Sequence, residues 1–399
     1  MRRRGWNPDV FSPMRAGDGW LIRVKPPEQR LAAAAARRLA SMATRWGSGA
    51  IEITTRASLQ LRGVSEAAFA DLAAALREAG LASDDPALEQ RRNILVSPLA
   101  GDDPTIAGDP LALARALAQR LADPAYAALS QKFSAVIDGG GVLPLSGWRA
   151  DIRITVREDG VGIAALDGTT LTCLAEEAPA AALTLAARMT LETRPPAPPP
   201  PPPPAGFLPY HGPDPGPCPG EARGAFALVP PFGAMRAPML AALADLSEGF
   251  GDGWLRLAPG RVALIAGVAA ARAGDLARAA RAAGFITDPA APSLGLIACI
   301  GAPDCAGGDA PSRADAAALA TRLGPGVARP IHVSGCAKGC AHVGPAPVTL
   351  TGVGRDADGG GRYDLAFDAS TEHVGLRAAH RLLSIAEAAA LLNRGAARE

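Results

Sequence analysis

Four of the six cysteines lie in two closely spaced pairs in the second half of the chain. Five residues separate Cys299 from Cys305, and three residues separate Cys336 from Cys340. Four thiolates on two short loops can surround one soft metal centre, and a cubane 4Fe-4S cluster takes one thiolate at each iron. The spacing therefore predicts that these cysteines bind a 4Fe-4S cluster and that the protein does redox chemistry beside it.

Other interpretations of the cysteines stay open at this point. Structural zinc commonly uses pairs separated by two to four residues, so the second pair fits zinc and the first pair is wide. Free cysteines are also among the most buried residue types, so the thiols could be unrelated core residues. Two histidines near the second pair, His332 and His342, could bind a second metal or a substrate, but a structural role suits them at least equally well.

Several basic side chains stand in or beside predicted turns. A guanidinium group binds a carboxylate through two parallel hydrogen bonds, so several of them around one cavity would suit a polyacidic ligand. The spacing does not show that they converge, and each could instead be a solvated surface charge. The candidates for binding such a substrate are Arg56, Arg62, Arg92, Lys132 and Arg261.

The two halves of the chain resemble each other at a constant offset of 204 residues. Residues 51–64 and 255–268 both have the pattern of two short strands around a polar turn. Gly63 and Val64 correspond to Gly267 and Val268. A constant offset through a strand-turn-strand-helix unit predicts an internal duplication.

The elements that must position the cysteines follow the same duplication. An extended segment at 20–24 precedes a helical pattern at 31–46, and residues 225–229 and 235–247 repeat that order. Each half thus opens β-α-β-β-α, as a ferredoxin-like half-domain does, and continues into a larger α/β segment. We predict an α+β fold with pseudo-twofold symmetry.

A run of prolines divides the chain almost in half. Between 195 and 204 only Ala197 interrupts it, and such a run favours an extended polyproline II spacer. The predicted domains are a ferredoxin-like half-domain at 1–85, an α/β domain at 86–193, a proline-rich linker at 194–205, a second ferredoxin-like half-domain at 206–290 and a cluster-binding α/β domain at 291–399.

Composition excludes several function classes. The formal net charge of +1 gives no bulk attraction to nucleic acid or anionic lipid. No run of 18 apolar residues predicts a membrane span, and no apolar segment follows the basic N-terminus as in a secretory signal. We therefore expect a cytoplasmic enzyme with no nucleic-acid or membrane partner. No G-x-G-x-x-G sequence follows a strand, so we expect an external reductase to deliver electrons.

Nearly the whole chain resembles the nitrite/sulfite reductase superfamily. This resemblance implies two ferredoxin-like half-domains and two larger α/β domains, a 4Fe-4S cluster whose last ligand, Cys340, bridges to sirohaem iron, and a tetrapyrrole or its anionic ligand lined by Arg56, Arg92 and Lys132. The matching segments are Thr54-Thr55-Arg56 with Gln60 and Gly63, Arg92-Asn93-Ile94, Pro98-Leu99-Ala100-Gly101, Lys132-Phe133 and the two cysteine pairs.

Two departures point to one branch of that superfamily. Ser134 stands where the assimilatory reductases carry a second lysine, and 399 residues is short for such a reductase. The chain resembles instead the precorrin-3B synthase branch. The segments that carry this resemblance are Arg4-Gly5, Pro13-Met14, Gly17-Asp18-Gly19, Lys132-Phe133, Asp138-Gly139-Gly140-Gly141 and Val333 to His342.

The second resemblance implies an oxygen-dependent monooxygenase of aerobic cobalamin biosynthesis. It would convert precorrin-3A to precorrin-3B by hydroxylating a meso carbon and closing a lactone, with electrons that originate from NADH. It further implies a mononuclear non-haem iron beside the cluster, for which His342, His332 and Asp304 are candidate ligands. Alternatives are a sirohaem-dependent nitrite or sulfite reductase and a non-catalytic electron carrier, which would not need so large a duplicated scaffold.

Overall fold

The computed structural model describes residues 8–188, 203–210, 223–342 and 344–396. Most of the predicted proline-rich linker lies outside these residues, as do Arg4, Gly5 and Cys218. The chain divides into two compact units. The described part of the first unit comprises 8–14, 19–188, 203–210 and 223–287, and that of the second comprises 15–18, 288–342 and 344–396.

The described elements of the first half alternate between strands and helices. In chain order they are β1 (Met14–Ala16), β2 (Gly19–Val24), β3 (Arg30–Ala32), α1 (Ala33–Trp46), β4 (Ala50–Ile53), β5 (Leu59–Val64), α2 (Phe69–Glu78), α3 (Pro86–Arg91), β6 (Ile94–Val96), α4 (Pro110–Arg120), β7 (Ala135–Asp138), β8 (Ile152–Arg157), β9 (Gly160–Ala165), β10 (Thr170–Cys173) and α5 (Ala178–Arg188).

The second half repeats most of this order. Its described elements are β11 (Gly206–Pro209), β12 (Arg223–Leu228), β13 (Ala234–Arg236), α6 (Ala237–Phe250), β14 (Trp254–Ala258), β15 (Val262–Ala269), α7 (Ala273–Ala282), β16 (Leu296–Ala298), α8 (Ser312–Ala320), β17 (Ile331–Ser334), β18 (Ala346–Arg355), β19 (Gly361–Ala369), α9 (Thr371–Arg377), β20 (His380–Leu383) and α10 (Ile385–Ala396).

Two five-stranded sheets are ferredoxin-like, and each is completed by a short strand from the other half of the chain. Their orders are β1-β2-β5-β4-β13 and β11-β12-β15-β14-β3. Strand β13 pairs antiparallel with β4, and β3 pairs antiparallel with β14. The predicted helices at 31–46 and 235–247 were therefore wrong at their first residues, which form these exchanged strands. Local sequence carries no signal for a pairing partner some 200 residues away.

Helices α1 and α6 pack against each other, and their buried residues share one hydrophobic core with the two ferredoxin-like sheets. The buried face of α1 is spaced at helical intervals and is rich in alanine, which allows a close approach of the two helices. The core also takes the inward residues of β4 and β5, such as Ile51, Ile53, Leu59 and Leu61, which alternate with polar positions.

The two larger α/β segments have the same sheet topology. The first sheet has the order β10-β9-β8-β7-β6, and the second has β16-β17-β18-β19-β20. In chain order, the first three strands of each sheet (β6, β7 and β8; β16, β17 and β18) are parallel. The last two strands of each sheet are added through antiparallel pairs. The predicted duplication and the α+β class are confirmed.

Within the described residues, no helix is both long and apolar enough to cross a membrane.

Candidate functional site

The four paired cysteines lie on two adjacent loops of the second unit. Cys299 directly follows β16, and Cys336 follows β17 after one glycine. Because β16 and β17 are parallel neighbours, their carboxyl ends meet at one edge of the sheet. The local fold therefore brings the two cysteine pairs together.

Backbone hydrogen bonds hold the two cysteine loops in a fixed relation. The Cys305 nitrogen donates to the Gly301 oxygen at 2.9 Å, which closes a turn between the first two cysteines. The Asp309 nitrogen donates to the Gly335 oxygen at 2.6 Å, which ties this loop to the one that carries Cys336.

The sulfur of Cys299 lies among hydrogen-bond partners. It is 3.2 Å from the donating nitrogen of Gly335 and 3.1 Å from the Ser312 hydroxyl. A backbone N–H and a hydroxyl beside a sulfur are partners that suit a thiolate ligand.

The electrostatics of the loops show that the thiols are mutual neighbours. Burial raises the pKa of the Cys336 and Cys340 thiols. The charges of Cys299 and Cys305 raise both pKa values further, and the charge of Cys336 adds to the rise at Cys340. Thiols in such a setting lose their protons readily only when a metal ion binds to the sulfur and replaces the proton. Cys340 is exposed, whereas Cys299, Cys305 and Cys336 are partly buried.

The donor set fits a 4Fe-4S cluster, which takes a separate thiolate at each corner. The described cysteines are free thiols. Among the residues that the structure describes, no three His, Cys, Asp or Glu side chains are grouped so as to hold a single metal ion.

A turn near the N-terminus belongs to the same unit and covers the Cys305 loop. A Cβ on Gly17 would lie 2.6 Å from the Ala306 nitrogen and 3.0 Å from the Asp304 oxygen. Only glycine therefore fits at this close approach.

Two of the candidate iron ligands lie close together. The rings of His332 and His342 are 5.6 Å apart between centroids in an edge-on arrangement, and both side chains are buried. The Nε2 atom of His342 is 3.2 Å from the Pro345 oxygen, and burial lowers the pKa of its imidazole. With no third ligand grouped beside them in the described chain, the assignment of a mononuclear iron site to these residues stays a prediction.

The first unit has a polar, partly buried face on its first ferredoxin-like sheet. Arg23, Gln60 and Glu52 lie side by side on adjacent strands. Gln60, in the amide orientation that satisfies its neighbours, accepts from Arg23 Nη2 at 3.0 Å and donates to Glu52 Oε2 at 3.2 Å. Burial lowers the pKa of Arg23 to about 10; the charge of Asp9 opposes this change, and that of Arg56 adds to it.

A buried lysine extends this cationic face. Lys25 donates to the backbone oxygen of Glu89, and burial lowers its pKa to about 8. Arg92 donates to the Glu89 carboxylate at 2.7 Å and lies close enough to Lys25 to lower its pKa further. Arg23, Lys25, Arg56 and Arg92 thus form one group of electrostatically coupled cations, which we call the cationic face.

The turn of Arg56 meets a turn from the second half. Arg56 Nη1 donates to the Arg149 oxygen at 2.7 Å, and the Gly260 nitrogen donates to the Thr55 oxygen at 3.1 Å. Arg261 follows Gly260, so these two candidate residues stand on contacting turns.

The remaining predicted substrate residues differ in their surroundings. Arg62 is buried on β5, and Lys132 is exposed. Arg23 and Lys25 were missed by the sequence analysis. The signal that could have found them is the alternation of β2, in which Arg23 lies between the buried Ile22 and Val24 and Lys25 directly follows the strand.

Comparisons with known proteins define the class. The family description "Nitrite/Sulfite reductase ferredoxin-like half domain" matches residues 12–79. The solved structure of Mycobacterium tuberculosis NirA protein is similar to 92% of this chain and 79% of its own, with a TM-score of 0.68 and 19% identity. The fold is therefore that of the nitrite/sulfite reductases.

Curated relatives identify the branch. The chain is 31% identical over 377 residues to precorrin-3B synthase of Sinorhizobium sp, a match that covers 88% of this chain and 81% of the relative. It is also 32% identical over 147 residues to ferredoxin–nitrite reductase of Leptolyngbya laminosa, over 34% of this chain and 28% of the relative. The chain belongs to the precorrin-3B synthase family.

Proposed function

We propose that this protein is an oxygen-dependent monooxygenase that converts precorrin-3A to precorrin-3B in aerobic cobalamin biosynthesis. The observation that carries the proposal is membership of the precorrin-3B synthase family over most of the chain. One oxygen atom enters a meso carbon of the ring and the other leaves as water, with two electrons that originate from NADH. A lactone then forms from an acetate side chain.

The cationic face is the proposed binding site for the carboxylates of precorrin-3A. Arg23, Lys25, Arg56 and Arg92 offer four cationic donors in partly buried surroundings, with Asp9 and Glu89 as neighbouring anions. A carboxylate gains most from such donors where water is excluded. Arg62, Lys132 and Arg261 are proposed as further contacts. Their role is to bind and orient the ring, since fixed orientation lowers the barrier of a reaction between bound groups.

The four paired cysteines are the proposed ligands of a 4Fe-4S cluster, with Cys340 at its exposed corner. Such a cluster supplies one-electron transfer when bound, and a separate mononuclear iron would supply oxygen activation. The hydrogen bond from the Gly335 nitrogen to Cys299 would stabilise negative charge on that ligand. An external reductase is the proposed electron donor.

The test is turnover under heavy-oxygen gas. The anaerobically purified protein is mixed with precorrin-3A, NADH and a reductase, and labelled dioxygen is admitted. We expect one labelled oxygen atom in the product by mass spectrometry. Unchanged precorrin-3A with a protein whose iron and sulfide content is intact would contradict the proposed reaction.

A second candidate function is sirohaem-dependent nitrite or sulfite reduction, with sirohaem as cofactor. The match to a ferredoxin–nitrite reductase over 147 residues favours it. Ser134 argues against it, because its hydroxyl binds Asp151 Oδ2 at 2.9 Å and is buried where those reductases carry a lysine. Intense sirohaem absorption in the purified protein, with reduction of nitrite or sulfite, would establish this second function instead.

A further inference from the structure

A buried serine stands beside one of the cysteine sulfurs and is not used by its own helix. Ser312 is the first residue of α8, is fully buried and makes no side-chain cap for that helix. Its hydroxyl oxygen lies 3.1 Å from the Cys299 sulfur and 3.0 Å from the Cys299 backbone oxygen.

The surrounding backbone is shaped to admit this hydroxyl. A Cβ on Gly301 would lie 2.5 Å from the Ser312 oxygen, and a Cβ on Gly335 would lie 3.3 Å from it. Gly301 also has a φ of +66°, which side-chain-bearing residues rarely adopt. Two glycines on the two cysteine loops therefore leave the space that Ser312 occupies.

The hydroxyl has one hydrogen and two acceptors within reach. While Cys299 is a thiol, its S–H can donate to Ser312, and the serine hydrogen goes to the Cys299 carbonyl. A metal-bound thiolate has no hydrogen to donate and carries negative charge. The serine hydroxyl can then turn to the sulfur, because charge-assisted hydrogen bonds are stronger than neutral ones.

We propose that Ser312 raises the reduction potential of the cluster by donating a hydrogen bond to the Cys299 sulfur. This inference rests on the proposed 4Fe-4S cluster. One-electron reduction places more negative charge on the cluster and its sulfurs, so a donor at the sulfur stabilises the reduced form more than the oxidised form. No proton or covalent bond is transferred, and the electron comes from an external reductant.

The chain offers a matched control. Ser334 is also fully buried beside the cysteine loops, but its hydroxyl donates to the Cys336 backbone oxygen at 2.7 Å and to no sulfur that the described hydrogen bonds record. Ser334→Ala removes the same group from the same neighbourhood without removing a donor to a ligand.

The experiment is a dithionite titration of the anaerobically purified holoprotein, followed by EPR. We expect Ser312→Ala to keep its iron and acid-labile sulfide and to show a midpoint potential below that of the wild type. Ser334→Ala is expected to keep the wild-type potential. An unchanged or higher potential in Ser312→Ala, with the cluster intact, would overturn the proposal.

Ser312→Thr keeps the hydroxyl and covers the case in which Ser312→Ala loses its cluster. Ser312→Thr is expected to have the wild-type midpoint potential. A midpoint potential clearly below that of the wild type, with the hydroxyl still present, would overturn the proposal. A wild-type protein with no iron and no sulfide would instead overturn the cluster itself, so the two failures are distinguishable.

Discussion

The two α/β sheets present the same loops with different side chains. At an offset of 202 residues, Ser97 occupies the position of Cys299, and Asp103 occupies that of Cys305. The Ser97 hydroxyl accepts from the Gly139 nitrogen at 2.9 Å, just as the Cys299 sulfur accepts from the Gly335 nitrogen. The first half thus has a counterpart of the 299–305 loop in which side-chain oxygens replace the two sulfurs.

The backbone hydrogen bonds of the two loops also correspond. Asp103 N donates to Leu99 O at 2.9 Å in the first half, and Cys305 N donates to Gly301 O at 2.9 Å in the second. The first loop is closed by side-chain oxygens, since Asp103 accepts from Val142 N at 2.7 Å and from Thr105 N at 2.9 Å. The space enclosed by the first loop is thus occupied by the Asp103 carboxylate. We infer that the cluster occupies the corresponding space in the second half.

In the ferredoxin-like sheets it is the first half that carries the polar side chains and the second half that lacks them. Arg23 and Gln60 of the first half correspond to Ala227 and Leu264 of the second, which are fully buried and apolar. The first half thus carries the charge that could bind a polycarboxylate, and the second carries the thiols. Duplication supplied two similar scaffolds. The proposed cluster uses the second half alone, and the proposed substrate site uses the first half together with Arg261 of the second.

The largest expected effect is loss of the cluster on removal of one second-half thiol. Cys336→Ser is expected to prevent assembly of an intact 4Fe-4S cluster, because a serine hydroxyl is a poor replacement for a thiolate. Iron, acid-labile sulfide and EPR measure the result. Cys173→Ser, on the first-half sheet, is the control and is expected to keep all three; unchanged values in Cys336→Ser would refute the ligand assignment.

Asp103→Ala is expected to damage the fold and spare the cluster. It removes the acceptor of two backbone N–H groups and of the Thr105 hydroxyl, at a cost of about 2–4 kcal/mol in the free energy of unfolding. Denaturant unfolding measures this cost. Asp123→Ala, which removes a single backbone contact at an exposed turn, is expected to cost less. Equal costs in the two variants would contradict the role given to Asp103.

Arg23→Met is expected to weaken binding of precorrin-3A by about 10- to 100-fold, the range for loss of one charge-assisted hydrogen bond. Absorption titration without oxygen gives the dissociation constant. Arg272→Met, an exposed arginine of the second half, is the control and is expected to bind as the wild type does. Equal affinity of all three proteins would remove Arg23 from the binding site.

The smallest expected effect is a pH dependence that comes from Lys25. Its pKa falls from 10.5 to about 8 on folding, so the unfolded chain holds more protons between these values and stability rises with pH through this window. Relative to Lys25→Met, the wild type should gain about 1–2 kcal/mol in unfolding free energy between pH 7 and 9.5. Denaturant unfolding at several pH values measures the difference, and a constant difference would contradict the buried charge.

The sequence predicted the duplication and the cysteine loops well, because both are carried by local patterns. Gly63 in β5 and Gly267 in β15 have positive φ values of 64° and 73°, so the matched dipeptides mark the same backbone irregularity within corresponding strands. The exchanged strands β3 and β13 were missed because their partners lie in the other half. Lys25 was missed because a lone lysine at the end of a strand resembles a surface charge, and only the packing around Glu89 shows that it is buried.

The central claim is that the second-half thiols hold one 4Fe-4S cluster. The most direct test measures iron and acid-labile sulfide in the anaerobically purified wild type, with EPR after reduction. The account predicts about four sulfides per chain and the signal of a reduced 4Fe-4S cluster. Zinc in the protein without acid-labile sulfide would contradict it.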